Sequence, residues 1–504
     1  MHFAPIDWII IAFYLAASML IGLAGRKYVG GTADFLVAGR ELGTAIGIAT
    51  LAATEIGTIT FMYNSELGYC YGFAAFAAAV ISGAAMIFVG RTGFVIQKFR
   101  ALRLMTVPEY FEARYSRGLR LLTGVLVALG GVLNMGVFLK VEGQFLVVVG
   151  GLNPHSLVLI MLGILLLELI YTTVGGMVSV VITDYMQYVL LSVASIIITV
   201  YAIHFAGWHA MVSKVSHELG PSGFDPLIAP KFGWQFLVWQ VLLWMAVNTC
   251  WQTTAMRMFS TKSPETSRRV MTWTGFIFLG RGILPMLWGI AALTLFGTGK
   301  HLAGIVQPIV QGRALTPIEA MPAMLSVLLG PGIRGLVVAG MLAATMSVNS
   351  SYLLGWSAVI SQDVIAPIRQ ATGRPTLSDR SQLSINRWCN LAVGLFLIFW
   401  GLYYTPPGAV YLYLNVTGTI FLAGGFVCVV GGLYWKRANV LGGYLAMLLG
   451  AIGAIVPFFF EHRSESFAGF AAFGLAAVGL LSGGLIGGRW KLNAKSSSAS
   501  LEAQ

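Results

Sequence analysis

Residues Met341 to Asp363 read MLAATMSVNSSYLLGWSAVISQD, a run apolar enough to lie in a bilayer that also carries Thr345, Ser347, Asn349, Ser350, Ser351, Ser357 and Ser361. Hydroxyls in hydrocarbon ordinarily bond back to their own helix or join neighbouring helices, and that reading needs no ligand. Small residues with convergent oxygens have a second use, because a dehydrated hard cation requires oxygen ligands. The choice between the two depends on what the rest of the chain places around this stretch.

The chain is 57 % hydrophobic and 10 % charged, with mean hydropathy +0.81, which argues against a large soluble core. Apolar runs longer than ~18 residues recur along it, each able to cross a bilayer as a helix. They predict an all-α polytopic membrane protein of about thirteen transmembrane helices. The net charge of +12 would suit nucleic acid, but its distribution argues otherwise. Threading the chain with its N-terminus outside puts most Lys and Arg, Arg257 among them, on the cytoplasmic side. That is the positive-inside bias of a multi-pass protein of the cell (inner) membrane with a cytoplasmic C-terminus, so no nucleic-acid partner is expected. Cys70, Cys250, Cys389 and Cys428 have neither metal-ligand nor disulfide spacing, the histidines are scattered, and an enzyme is not expected. The first apolar run has no basic residue before it and Arg26–Lys27 after it, which reads as an anchor and not a cleaved signal.

The polar residues inside the spans mark the site. Glu55 lies within AATEIGTITFMYN (Ala52 to Asn64), and a carboxylate near mid-membrane costs ~2.5–3.5 kcal/mol on insertion scales. Gly57 and the threonines beside it allow the helix to break, which is tolerated only where backbone lines a cavity. Asn134, Lys140 and Glu142 share the fourth span, with Lys140 expected to pair with Glu142 or Glu55; Glu168 lies in the fifth and Asp184 in the sixth. The seventh span is Trp-rich with a polar break at Asn248, Thr249 and Gln252, and Trp244 is too deep for an interfacial belt. It packs in the core or offers a stacking surface. Arg281 in the eighth span needs a partner, and the eleventh opens with Asn415 and Thr417. The prolines of YTPPG before it suit an external lid.

The order of spans divides the chain into an extra helix and loop (1–42), a five-helix block (43–206), an external loop (207–231), a second five-helix block (232–434), two peripheral helices (435–490) and a cytoplasmic tail (491–504). Each block opens with a span interrupted by polar residues, which places Glu55 and Asn248 in corresponding positions. That pattern points to an inverted-repeat secondary transporter with a midplane site.

DFLVAGRELG running into AATEIG, TVPEYFEARYS, GGMVSVVITDYMQ, and the AATMS…S…D frame of the ninth span resemble the sodium:solute symporter family, in order over nearly the whole chain. The resemblance implies a LeuT-type 5+5 inverted repeat and sodium-coupled symport of a small organic solute by alternating access. It implies a sodium ion held by Ala53 and Ile56 of the broken second span and by Ala344, Ser347 and Val348 of the ninth, with Asp184 on the ion's path to the cytoplasm. Val348 departs from the family, which carries a hydroxyl there; a proton on Glu55, a water or Ser351 would have to compensate. The alternative is therefore a proton-coupled transporter or a solute-binding relative that does not concentrate its solute. Glu55, Thr60, Ser82, Asn134, Trp244 and Asn415 match pocket positions, and Arg281 lies one turn beyond a family substrate lysine. Ala79 stands where sugar transporters have a glutamate, which disfavours hexoses. With Lys140, Arg281 points to a carboxylate-bearing solute. The expected partners are that solute and membrane lipid, with the oligomeric state left open.

Overall fold

In this computed structural model the described residues are 3–28, 31–297, 309–310, 313–375, 377–405, 410–455 and 465–486. The tail 491–504 and Pro406 and Pro407 of the expected lid lie outside them. The chain opens with α1 (Pro5–Ala24), α2 (Thr32–Val37), α3 (Thr44–Glu55), α4 (Thr58–Tyr71) and α5 (Phe76–Thr92). Short α6 (Ile96–Ala101) and α7 (Val107–Arg114) precede α8 (Arg117–Met135), α9 (Phe138–Gly150) and the long α10 (Leu157–Ala206), which bends at Gly176. Next come α11 (Trp208–Leu219), α12 (Gly233–Cys250), α13 (Gln252–Phe259) and α14 (Pro264–Phe296), then an antiparallel ribbon of β1 (Ile309–Val310) and β2 (Arg313–Ala314). After it follow α15 (Ala320–Leu328), α16 (Ile333–Val359), a π-helical turn (Ile360–Ile365), α17 (Ala366–Ala371), α18 (Asp379–Tyr403), α19 (Val410–Tyr434), α20 (Val440–Ile455) and α21 (Glu465–Ile486).

Ten helical runs among the described residues are long and apolar enough to cross a membrane, so the protein is an all-helical, multi-pass membrane protein. The α16 run is the centre of the bundle: nearly all its apolar stretch is buried, whereas only about a third of the apolar stretches of α1 and α10 is. Apolar residues exposed on outer helices, such as Phe13, Leu166 and Ile196, are what a lipid-facing surface requires. Inside, small residues let backbones approach: a Cβ at Gly68 of α4 would overlap the Met286 carbonyl of α14, and one at Gly289 the Ser65 carbonyl. The last helices, α20 and α21, pack chiefly on one another and on α19, at the periphery of the bundle.

Candidate functional site

Two helices are interrupted, and the site lies between the interruptions. Between α3 and α4, Ile56 (φ −112°, ψ 84°) and Gly57 leave the helical region. The Gly57 N–H, which would have bonded the Ala53 carbonyl, instead donates to Thr60 Oγ1 at 3.4 Å, and the Thr60 hydroxyl donates to the Glu55 carbonyl at 3.3 Å. The carbonyls of Ala53 and Ile56 are thereby released from the helical ladder. Between α12 and α13 the break is at Trp251, whose indole donates to the Tyr352 hydroxyl at 3.1 Å and packs edge-on against Trp356.

The first break faces α16. Thr58 Oγ1 donates to the Met341 carbonyl at 2.6 Å, and the Thr54 and Ser351 hydroxyls lie 3.2 Å apart. A Cβ at Gly57 would stand 2.8 Å from Val348 Cγ2, so glycine is needed for the break to approach α16 this closely. Val348 fills with a methyl the space opposite the break. Along α16, Ser350 and Ser357 donate to carbonyls three residues back, the packing role open to hydroxyls in hydrocarbon; in the π-helical turn Ser361 does the same and also meets Asn386 Oδ1 of α18 at 3.2 Å. Ser347, Asn349 and Ser351 instead reach other helices.

Glu55 is 6 % exposed, and its Oε1 accepts from the hydroxyls of Thr253 (3.0 Å) and Thr254 (2.8 Å) in the first turn of α13. A carboxylate is favoured there because the N-terminal end of a helix is electropositive. Arg257, one turn further along α13, was counted among the cytoplasmic basic residues, but it is 1 % exposed. Its Nε donates to Thr50 Oγ1 at 2.9 Å, and its Nη2 to Asp184 Oδ2 at 3.1 Å and Ser351 Oγ at 2.5 Å. Asp184 also accepts from Thr50 and from Ser347, both at 2.5 Å. A buried carboxylate requires such partners, and here they come from α3, α13 and α16 together. Sequence reading missed Arg257, Thr253 and Thr254. The signal was there: in QTTAMRMF, Thr253 and Thr254 lie four and three residues before Arg257, on one helical face.

A cavity of about 90 Å³ opens beside the two breaks. Glu55, Thr60, Asn134, Trp244, Arg281 and Asn415 all line it, with Tyr63, Phe138, Trp251, Val348, Tyr352 and Tyr411 among the other walls. Ser82 does not: it lines a smaller neighbouring void, and its hydroxyl donates to the Ala79 carbonyl at 2.9 Å. Asn134 Nδ2 donates to the Leu414 carbonyl and Thr417 Oγ1, fixing α8 against α19. Arg281 Nη2 donates to the Tyr63 hydroxyl at 3.0 Å, and its guanidinium lies 4.4 Å from the ring centre of Phe278 and 5.3 Å from that of Trp244. It forms no ion pair among the described residues, and its Nη1 has no hydrogen-bond partner. Lys140 does not pair with Glu142 or Glu55, because its ammonium turns to the Tyr404 carbonyl (3.1 Å) and Thr405 Oγ1 (2.6 Å), where the α18 end is more open.

A cavity that carries Glu55 and Arg281 between two broken helices, enclosed in an apolar bundle, is the architecture of a membrane transporter. The family model for the sodium:solute symporter family matches residues 35–450, and the chain belongs to that family. It is a transporter and not an enzyme. It is 26 % identical to a putative sodium-dependent multivitamin transporter of Drosophila melanogaster, over 88 % of this chain and 69 % of that protein. To the sodium/pantothenate symporter of Escherichia coli (strain K12) it is 25 % identical, over 88 % of each. The fold matches that of a Na+-coupled sialic acid symporter solved in a substrate-bound, outward-open state, with TM-score 0.80 at 19 % identity over 96 % of this chain and 98 % of that one.

Proposed function

We propose that this protein takes up a small carboxylate-bearing solute together with sodium by alternating access. Arg281 carries the solute class: a buried guanidinium, unpaired among the described residues, with one nitrogen unpartnered at the wall of a cavity, calls for an anionic group. The aromatic rings that flank it fix its direction, and Glu55 on the same cavity would suit a zwitterion as well as an anion. At about 90 Å³ the cavity is small beside the ~300–1,000 Å³ of drug-sized sites, so a vitamin-sized solute would need the walls to move apart. The relatives described as sodium-dependent support sodium as the coupling ion. Ala53, Ile56, Ala344 and Ser347 would hold it, with Thr54 and Ser351 near enough to replace the oxygen that Val348 lacks. Asp184 would receive the ion on its way out.

In this reading the chain crosses the cell membrane about thirteen times, N-terminus outside and C-terminus in the cytoplasm, with 43–206 and 232–434 as the inverted repeats. One sodium ion entering down a potential of ~100 mV releases ~2.3 kcal/mol, nearly two decades of accumulation. Thermal unfolding of the purified protein in sodium against choline, with small carboxylates and their amides, tests the proposal, since whatever binds only the folded state raises stability. Sodium should raise the midpoint and carboxylates should raise it further; Arg281→Gln should abolish the second shift and keep the first. Amides that stabilise as well as acids would exclude the carboxylate reading. A solute shift that follows pH and ignores sodium would assign coupling to a proton.

A further inference from the structure

A second polar cluster lies outside the cavity. Glu142 of α9 and Glu168 of α10 both accept from Asn349 Nδ2 of α16, at 2.8 and 3.1 Å, and they are 1 % and 0 % exposed. Neither carboxylate forms an ion pair among the described residues, and Glu142 Oε1 and Glu168 Oε2 have no hydrogen-bond partner. Asn349 Oδ1, also buried, has none either.

Independently of the carboxylates, α18, which packs on α10 and α16, carries buried amides. Asn390 is 0 % exposed, and both its side-chain nitrogen and its oxygen lack a partner, as does Asn386 Nδ2 one turn away. The register is fixed on either side of Asn390. Arg387 Nε donates to the Thr173 carbonyl, and a Cβ at Gly394 would stand 3.0 Å from Leu169. Asn390 is therefore level with Thr172, whose buried hydroxyl is also unpartnered and which lies one turn from Glu168. Unsatisfied polar groups are rare in buried positions, so this many together mark a place for water and for a mobile proton.

Two buried carboxylates that share one amide and meet no cation repel each other, and one proton between them relieves the repulsion. An amide that presents N–H to one carboxylate and oxygen to a carboxylic O–H serves either arrangement. The other titratable groups facing the pair are Tyr14 of α1 and Tyr171 of α10, both beside Glu168. Lys140 of α9 turns away to Thr405, Arg387 of α18 is held at Thr173, and α16 and α18 offer no charged side chain at this level.

We propose that Glu142 and Glu168 form a proton-binding site, joined through Asn349 to the helix that carries Ser347 and Val348, with the Thr172–Asn390–Asn386 file as its hydrated approach. Proton occupancy then sets how firmly α16 is tied to α9 and α10. This link to the ion site rests on the sodium reading above; the proton site itself does not.

Infrared difference spectroscopy on the purified full-length protein, titrated across pH in potassium and in sodium, tests the site directly. The expected result is a carboxylic C=O band in potassium that disappears as pH rises and is lost in Glu142→Gln and in Glu168→Gln. No such band, or one unchanged over the whole range, would overturn the proton site, and the wild-type titration alone gives that answer if a variant fails to fold. A titrating band whose midpoint moves when sodium replaces potassium supports the link to α16. A midpoint indifferent to sodium, in a protein that sodium does stabilise thermally, would overturn the link while leaving the symport reading intact.

Discussion

The two helix breaks serve opposite ends of the electrostatic scale. The α3–α4 break is made of small residues and presents backbone oxygen: Gly57 comes close to α16, and the carbonyls of Ala53 and Ile56 leave their ladder. The α12–α13 break turns on a large residue, Trp251, and presents a helix N-terminus with two hydroxyls, Thr253 and Thr254. One end suits a cation and the other an anion. The protein's own Glu55 occupies the second, so the breaks are tied to each other before any solute or ion arrives. Arg257 adds a second tie by joining α13 to Asp184, Thr50 and Ser351.

The largest expected effect comes from cutting that second tie. Arg257→Ala leaves Asp184 buried without its cation, and the loss should be ~3–5 kcal/mol of stability, read as a lower midpoint in thermal unfolding. A variant of wild-type stability would show that the pair does not hold the breaks together. Gly57→Ala tests the close approach of the first break. Its Cβ meets Val348 Cγ2 at 2.8 Å, so overpacking of ~1–3 kcal/mol is expected, and adding Val348→Ala should recover most of it. Additive single effects would mean that the two residues do not press on each other. The smallest effect sharpens the comparison instead of breaking it. Val348→Ser adds an oxygen opposite the first break and should tighten sodium about tenfold, ~1.4 kcal/mol, in the concentration that half-stabilises the protein. Unchanged sodium dependence would place the ion elsewhere.

Much of the architecture was legible because hydrophobicity in a bilayer is one-dimensional: long apolar runs must be helices, and a polar interruption must line something. Glu55 and Arg281 stood out for the same reason, since charge in hydrocarbon is costly. Arg257 was misread because it ends a span, where sequence cannot distinguish a side chain reaching out to water from one turning inward to Asp184. Lys140 failed in the opposite sense: depth along the span put it near Glu142, but the helix face carries it to Thr405. Ser82 lies on α5, which lines the small neighbouring void and not the cavity.

By itself the sequence determined the membrane environment, the all-helical class, the break beside Glu55 and the family frame; the second break falls at Trp251, within the polar stretch read around Asn248 but after it. These follow from local composition and spacing, which a chain carries with it into any fold. Only the tertiary structure decided which partner each buried polar group has: Glu55 with the N-terminus of α13, Asp184 with Arg257 and Ser347, Glu142 and Glu168 with Asn349, and Arg281 with the Tyr63 hydroxyl. Those pairings join residues up to some two hundred positions apart, and burial makes each one obligatory without the sequence naming which it is.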